Sequence, residues 1–192
     1  VGQILRPSKL HGPEIPLLPL RAVALRELGW GLMQFAGFPD FRRREADLGE
    51  AAAEFIAACE GSAARLVERV TETFSTFNDR ARLDGHEIRF FKRAQILAAD
   101  LHGAFGGEGL GRFDDLDRLT AFADYKVPQV LRGLGVLRYD DRLASIVNRR
   151  KLIPAGSREE IEIRAATVWA CELIRASLAD RGRAMAAYEI DW

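Results

Sequence analysis

The sequence predicts an all-α protein organised as one helical domain, and three observations predict it. Apolar residues recur at three- and four-residue spacing through most of the chain. Strand-like alternation is scarce. The gaps between periodic runs hold Pro, Gly and polar clusters, the residues that end helices. With 192 residues, 48% of them hydrophobic, the chain can bury one substantial core, and no boundary divides residues 1–192.

Pro7, Pro13, Pro16 and Pro19 make an irregular lead-in, after which LRAVALRELGWGLMQF keeps helical spacing until Gly37 and Pro39 interrupt it. Two helices follow, in ADLGEAAAEFIAACE and in SAARLVERVTETFSTF, the second with Ser62 as N-cap. The polar stretch NDRARLDGHE reads as a turn before a helix from Phe90 to Phe105. The loop GGEGLGRFDD then leads to a helix beginning at Asp114 or Asp115. Pro128 restarts the chain in PQVLRGLGVL, and DDRLASIVNRR is a further short helix. The final helix opens with Ser157 and Glu160, the reciprocal pairing of a capping box, and runs through IEIRAATVWACELIRASLA. There is no internal repeat and no low-complexity tract. Val1 in place of Met at the start, with Trp192 at the end, reads as a fragment of a longer chain.

Charge and composition narrow the function. Lys plus Arg (28) equals Asp plus Glu (28), so the basic excess that draws a protein to nucleic acid is missing. Cys59 and Cys171 each sit in an apolar helical pattern, which fits reduced core thiols in a cytoplasmic protein. No apolar run approaches a membrane span and no signal peptide is legible, so a soluble protein is expected. GGEGLG follows a helix and lacks a following Lys-Ser/Thr pair, so it is a loop and not a phosphate cradle. His11, His86 and His102 are scattered without metal-ligand spacing, and no serine sits in a nucleophile elbow. No metal and no other cofactor is expected.

Two charges stand in apolar settings. On a helix turning about 100° per residue, Phe90, Phe91, Ala94, Leu97, Ala98, Leu101 and Phe105 share one face. Lys92, Ile96, Ala99 and Gly103 share the opposite one. Lys92 is the one charge on that second stripe, and it either faces a protein-lined cavity or snorkels out from the first turn. Asp124 stands in FADYKVPQVL, beside the core stripe of Leu116, Leu119, Phe122 and Ala123 and just ahead of the helix at Pro128. It either satisfies backbone amides there or serves a site, where the positive end of that helix favours its ionised form.

In order and spacing, RFFKRAQILAADLHGAF, LTAFADYKVPQVLRGLGVLRY and EEIEIRAATVWACELIR resemble the signature blocks of the queuosine salvage family, the queuosine 5′-phosphate N-glycosidases. Weaker matches include ILRP, IPLL and the terminal IDW. The resemblance implies an all-helical fold like that of the helix-hairpin-helix DNA glycosylases. It implies an enzyme that releases queuine from queuosine 5′-monophosphate, with that nucleotide and the free base as its partners, no nucleic acid and no membrane. The acid of the family's ADYR block and the lysine of its KRAQ block map onto Asp124 and Lys92 as catalytic residues. Tyr125, Lys126 and Gln129 flank Asp124 and are substrate-binding candidates. For Glu162, Arg164, Trp169 and Glu172 ion pairing and packing are favoured, with Arg164 retained as a phosphate-binding candidate.

The chain departs from the family's pattern at Phe91, His102 and Lys126, where Tyr, Trp and Arg are commoner. It also lacks the family's N-terminal, aromatic-rich block. Two other readings remain: a DNA glycosylase-like binding module, on the strength of VLRGLGVL, and a noncatalytic helical interaction domain.

Overall fold

The computed structural model describes residues 16–37 and 45–191. Pro7, His11, Pro13, Pro39, Trp192 and the stretch ILRP lie outside the described residues. The described chain is mostly helical: α1 (Leu18–Phe35), α2 (Glu45–Ala57), α3 (Ala63–Thr73), α4 (Lys92–Ala104), α5 (Val127–Gly133), α6 (Asp141–Asn148), α7 (Arg158–Ala179) and α8 (Ala187–Asp191). No helix among the described residues is long and apolar enough to cross a membrane.

Two expectations are corrected. The stretch read as a polar turn is a β-hairpin, β1 (Arg80–Leu83) pairing antiparallel with β2 (His86–Arg89) in the register Leu83↔His86. Asp84 and Gly85, with φ of 51° and 83°, form the two-residue turn that right-twisted strands favour. Its inner side chains Ala81, Leu83 and Ile88 pack against Phe90, Ala123 and Ile161. The helix expected from Asp114 or Asp115 does not form. A single 3₁₀ turn at Leu116–Arg118 gives way to extended chain at Leu119, and residues 120–124 lie in neither helix nor sheet. Ala121, Phe122 and Ala123 are buried in succession, which an amphipathic helix with one apolar stripe cannot do. A segment outside regular secondary structure, with its side chains shared among three core clusters, can.

That segment is where the core converges. Leu119 and Phe122 join the largest cluster with α3 and α4, Ala121 joins Leu131, Ala170 and Cys171, and Ala123 joins Phe90 and Ile161. α4 is buried on two sides, at Ala94 and Ala98 and again at Ala99, although Phe105, expected in the core, is 48% exposed. The GGEGLG loop packs back on the C-terminal end of α4. A Cβ on Gly111 would come 2.6 Å from the carbonyl oxygen of Leu101, so no larger residue fits there. Lys92 is at the other end of that helix, about 18 Å away along its axis.

The carboxylate expected to start a helix is used elsewhere. Asp115 accepts hydrogen bonds from Ser62 Oγ (2.7 Å) and from the amides of Ala63 (2.6 Å) and Ala64 (3.4 Å), capping α3 from a distance. Ser62 itself accepts from the Arg65 amide, as its N-cap reading requires. Burial pushes the Asp115 carboxyl up, but these bonds and the Arg118 charge outweigh it and hold the group below the ordinary carboxylate value. A carboxyl depressed in the folded state contributes stability that is present at neutral pH and lost as pH falls through its folded pKa. Asp115→Ala should therefore lower unfolding free energy by about 1–2 kcal/mol at pH 7. The deficit, read from urea melts, should shrink below about pH 4.

Candidate active site

Four parts of the fold meet around one cavity of about 430 Å³. Lys92 enters from the first position of α4, immediately after Phe91, whose backbone takes a left-handed conformation at φ 46°. That turn ends the hairpin and aims the start of α4 at the cavity, while the Arg80 guanidinium lies 5.3 Å from the Phe91 ring. Asp124, half-buried, enters from the end of the irregular segment 119–124. Its Oδ1 accepts from the amides of Lys126 (2.7 Å) and Val127 (3.0 Å), so the carboxylate is held by the start of α5. The two roles set out for Asp124 are therefore compatible: it caps α5 and borders the cavity at once. α6 and α7 supply Val147 and Ile163, and Tyr139 and Ile153 complete an apolar side.

Arg164 lies on the wall with its donors engaged. Its Nε donates to the Ala123 carbonyl (3.2 Å), Nη1 to Asp79 (3.0 Å) and Glu160 (3.4 Å), and Nη2 to the other Asp79 oxygen. Its guanidinium carbon stands 3.9 Å from the centre of the Phe90 ring. Such a bidentate, stacked arginine braces the segment leading to Asp124. Of the other sequence-predicted residues, Tyr125 and Gln129 reach the cavity, with Gln129 Nε2 donating to the Tyr125 carbonyl at 2.7 Å. Lys126 is exposed, its ammonium 5.6 Å from the Tyr125 ring centre, and it does not line the cavity. Trp169 is 67% exposed and lies outside the cavity wall. Glu172 pairs with Arg175 and Glu162 with Arg158, both on α7 itself.

Two polar groups of the cavity wall, Glu160 and Tyr139, and one that is not on it, Asp191, escaped sequence reasoning as site residues. Glu160 joins the wall between Arg164 and the Gly156 amide, to which its Oε2 is bonded at 3.1 Å, so its capping arm reaches one residue beyond Ser157. Burial raises the Tyr139 phenol, against the opposing pull of the Arg132 guanidinium 4.8 Å from its ring centre. Asp191, on the last turn of α8, accepts from the Phe122 amide at 3.1 Å. Its carboxyl is pushed up by burial, pulled down by the Phe122 amide, pushed up by Asp124 and pulled down by Lys92. The charges of Asp124 and Lys92 thus both act on Asp191. The terminal IDW match was the one signal that pointed at Asp191. Among the described residues no cluster of three His, Cys, Asp or Glu could hold a metal ion.

The arrangement offers a fixed carboxylate and an ammonium beside an apolar wall, in a cavity of the size that takes a nucleotide-like ligand. Such a pair can stabilise positive charge developing on a substrate while holding a polar or anionic part of it.

A family model described as "Queuosine salvage protein" matches residues 1–192. A protein of Sphaerobacter thermophilus named "Queuosine 5'-phosphate N-glycosylase/hydrolase" is 54% identical over 180 residues, covering 93% of this chain and 52% of its own length. One of the same name from Dictyostelium discoideum is 38% identical over 181 residues, covering 94% of this chain and 53% of its own. A mouse protein, also so named, is 41% identical over 114 residues, 59% of this chain and 34% of its own. The chain spans about half the length of the first two relatives.

Proposed function

The chain belongs to the queuosine salvage protein family, and on that premise we propose that it hydrolyses the N-glycosidic bond of queuosine 5′-monophosphate, releasing queuine and ribose 5-phosphate. The observation that carries this is the placement of Asp124 and Lys92 on one cavity, each held by a different element. Cleavage of a ribosyl bond develops positive charge at the anomeric carbon and ring oxygen. A carboxylate fixed beside them, needing no reorganisation, stabilises that charge. Asp124 does this and orients or deprotonates the attacking water. Queuine is a 7-deazapurine, so protonation at N7, which assists departure of ordinary purines, is not open to it. Stabilisation of the ribosyl cation carries correspondingly more of the barrier.

Lys92 supplies a cation that favours the charged form of Asp191 and meets an anionic or hydroxyl group of the ribose phosphate. Tyr125 and Gln129 contact substrate from the rim, Lys126 approaches it from outside as a mobile point charge, and Arg164 supports the site through Ala123. The described residues act as one unit, and the fold is of the helix-hairpin-helix glycosylase kind. In favour of that likeness, α5 and α6 are two short helices joined by a turn that has Gly135 at φ 75°. The reading takes the protein to be cytoplasmic, with a nucleotide and a free base as partners and no metal.

Incubating this chain with queuosine 5′-monophosphate and measuring free queuine by liquid chromatography tests the proposal. Stoichiometric release of queuine and ribose 5-phosphate, unaffected by EDTA, is expected. No release, combined with tight and steeply salt-dependent binding to duplex DNA, would instead favour the binding module.

A further inference from the structure

The segment that delivers Asp124 has no ladder or helix to satisfy its backbone, so its buried polar groups must find side chains. Three elements provide them. Gln95 Oε1 in α4 accepts from the Thr120 amide at 2.8 Å, Asp191 in α8 accepts from the Phe122 amide at 3.1 Å, and Arg164 in α7 donates to the Ala123 carbonyl at 3.2 Å.

Gln95 differs from the other two. It is uncharged, 7% exposed and absent from the cavity wall. Its Nε2 donates to the Phe90 carbonyl at 2.9 Å and to Thr120 Oγ1 at 3.0 Å. The Phe90 carbonyl can only accept and the Thr120 amide can only donate, so the side-chain amide has a single productive orientation. One end of Gln95 thus holds the chain two residues before Lys92, and the other holds the chain four residues before Asp124. Arg164 also touches both approaches, through the Ala123 carbonyl and the face of the Phe90 ring, but it is charged and lies on the cavity wall.

We propose that Gln95 is a positioning residue that sets the separation of Lys92 and Asp124 through Thr120 and Phe90; this rests on the glycosidase reading above. Because a misplacement of about 1 Å can cost about 100-fold in rate, the loss should fall on kcat and leave KM nearly alone. A residue that merely fills the core would lower the melting temperature without that split.

The test measures kcat and KM for queuine release by this chain and its Gln95→Leu and Gln95→Glu variants, with amide hydrogen exchange at Thr120 as a second readout. Gln95→Leu should exchange faster at Thr120 and lose about 10- to 100-fold in kcat, with KM within about twofold. In Gln95→Glu an ionised carboxylate opposes the Phe90 carbonyl, whereas its protonated form restores a donor. Relative to wild type, that variant should recover kcat as pH is lowered from about 8 to about 5. Wild-type kcat in the Leu variant despite faster exchange at Thr120 overturns the proposal, as does unchanged exchange in both variants. If Gln95→Leu does not fold, the pH-dependent recovery of Gln95→Glu decides the matter alone. If wild type releases no queuine, the glycosidase reading fails, and the exchange rates still decide whether Gln95 holds the segment.

Discussion

Asp124→Asn is expected to lower kcat for queuine release by about 10³-fold while leaving the helical circular dichroism and melting temperature close to wild type. The geometry makes this substitution a clean probe of charge. Oδ1 of Asp124 accepts the Lys126 and Val127 amides, and an asparagine carbonyl oxygen can accept both in the same way. The cap of α5 therefore survives, and what disappears is the negative charge facing the cavity. Asp124→Ala is the control that separates the two roles, because it removes cap and charge together. It should show the same loss of kcat plus a fall in stability of about 1 kcal/mol. Turnover retained in Asp124→Asn would remove the carboxylate charge from the mechanism and leave Asp124 as a helix cap.

Two charged residues of the candidate site were legible in the sequence for one physical reason. A charge on an otherwise apolar stripe must be accounted for, and Lys92 on α4 and Asp124 beside Leu119 and Phe122 were both such charges. The amphipathic helices and their local caps at Ser62 and Ser157 were legible because their signals lie within a few residues of one another. The hairpin was not, since four-residue strands that are mostly charged or polar, RARL and HEIR, look like a polar turn, even with Asp84-Gly85 at the centre. Residues 119–124 were misread as helix because an apolar run shared among three core clusters has no period of its own. Gln95 and Asp191 were missed for a different reason. Gln95 meets Thr120 across 25 positions and Asp191 meets Phe122 across 69, so their roles exist only in the folded chain.

Lys92→Met should separate the phosphate from the rest of the substrate. Among the described residues Lys92 has no ion pair or hydrogen bond to its ammonium, and its charge acts on Asp191. An ammonium on a largely apolar wall, with no ion pair to hold it, is costly unless a ligand meets it. The substrate's 5′-phosphate would do so. Free queuosine should then be processed much less well than its 5′-monophosphate by the wild-type chain, and Lys92→Met should narrow that gap by about tenfold or more in kcat/KM. Both substrates must be measured on both proteins, since loss of uniform binding and loss of transition-state binding are otherwise confounded. A second readout concerns Asp191. Burial and Asp124 push its carboxyl up while Lys92 opposes them, so removing Lys92 should move its titration, followed by NMR, to higher pH. If Lys92→Met costs the two substrates equally while Asp191 still shifts, Lys92 serves only as the electrostatic partner of Asp191. The phosphate contact then passes to Lys126, the exposed cation nearest Asp124 in the chain, because the guanidinium of Arg164 is already engaged by Asp79, Glu160 and Ala123.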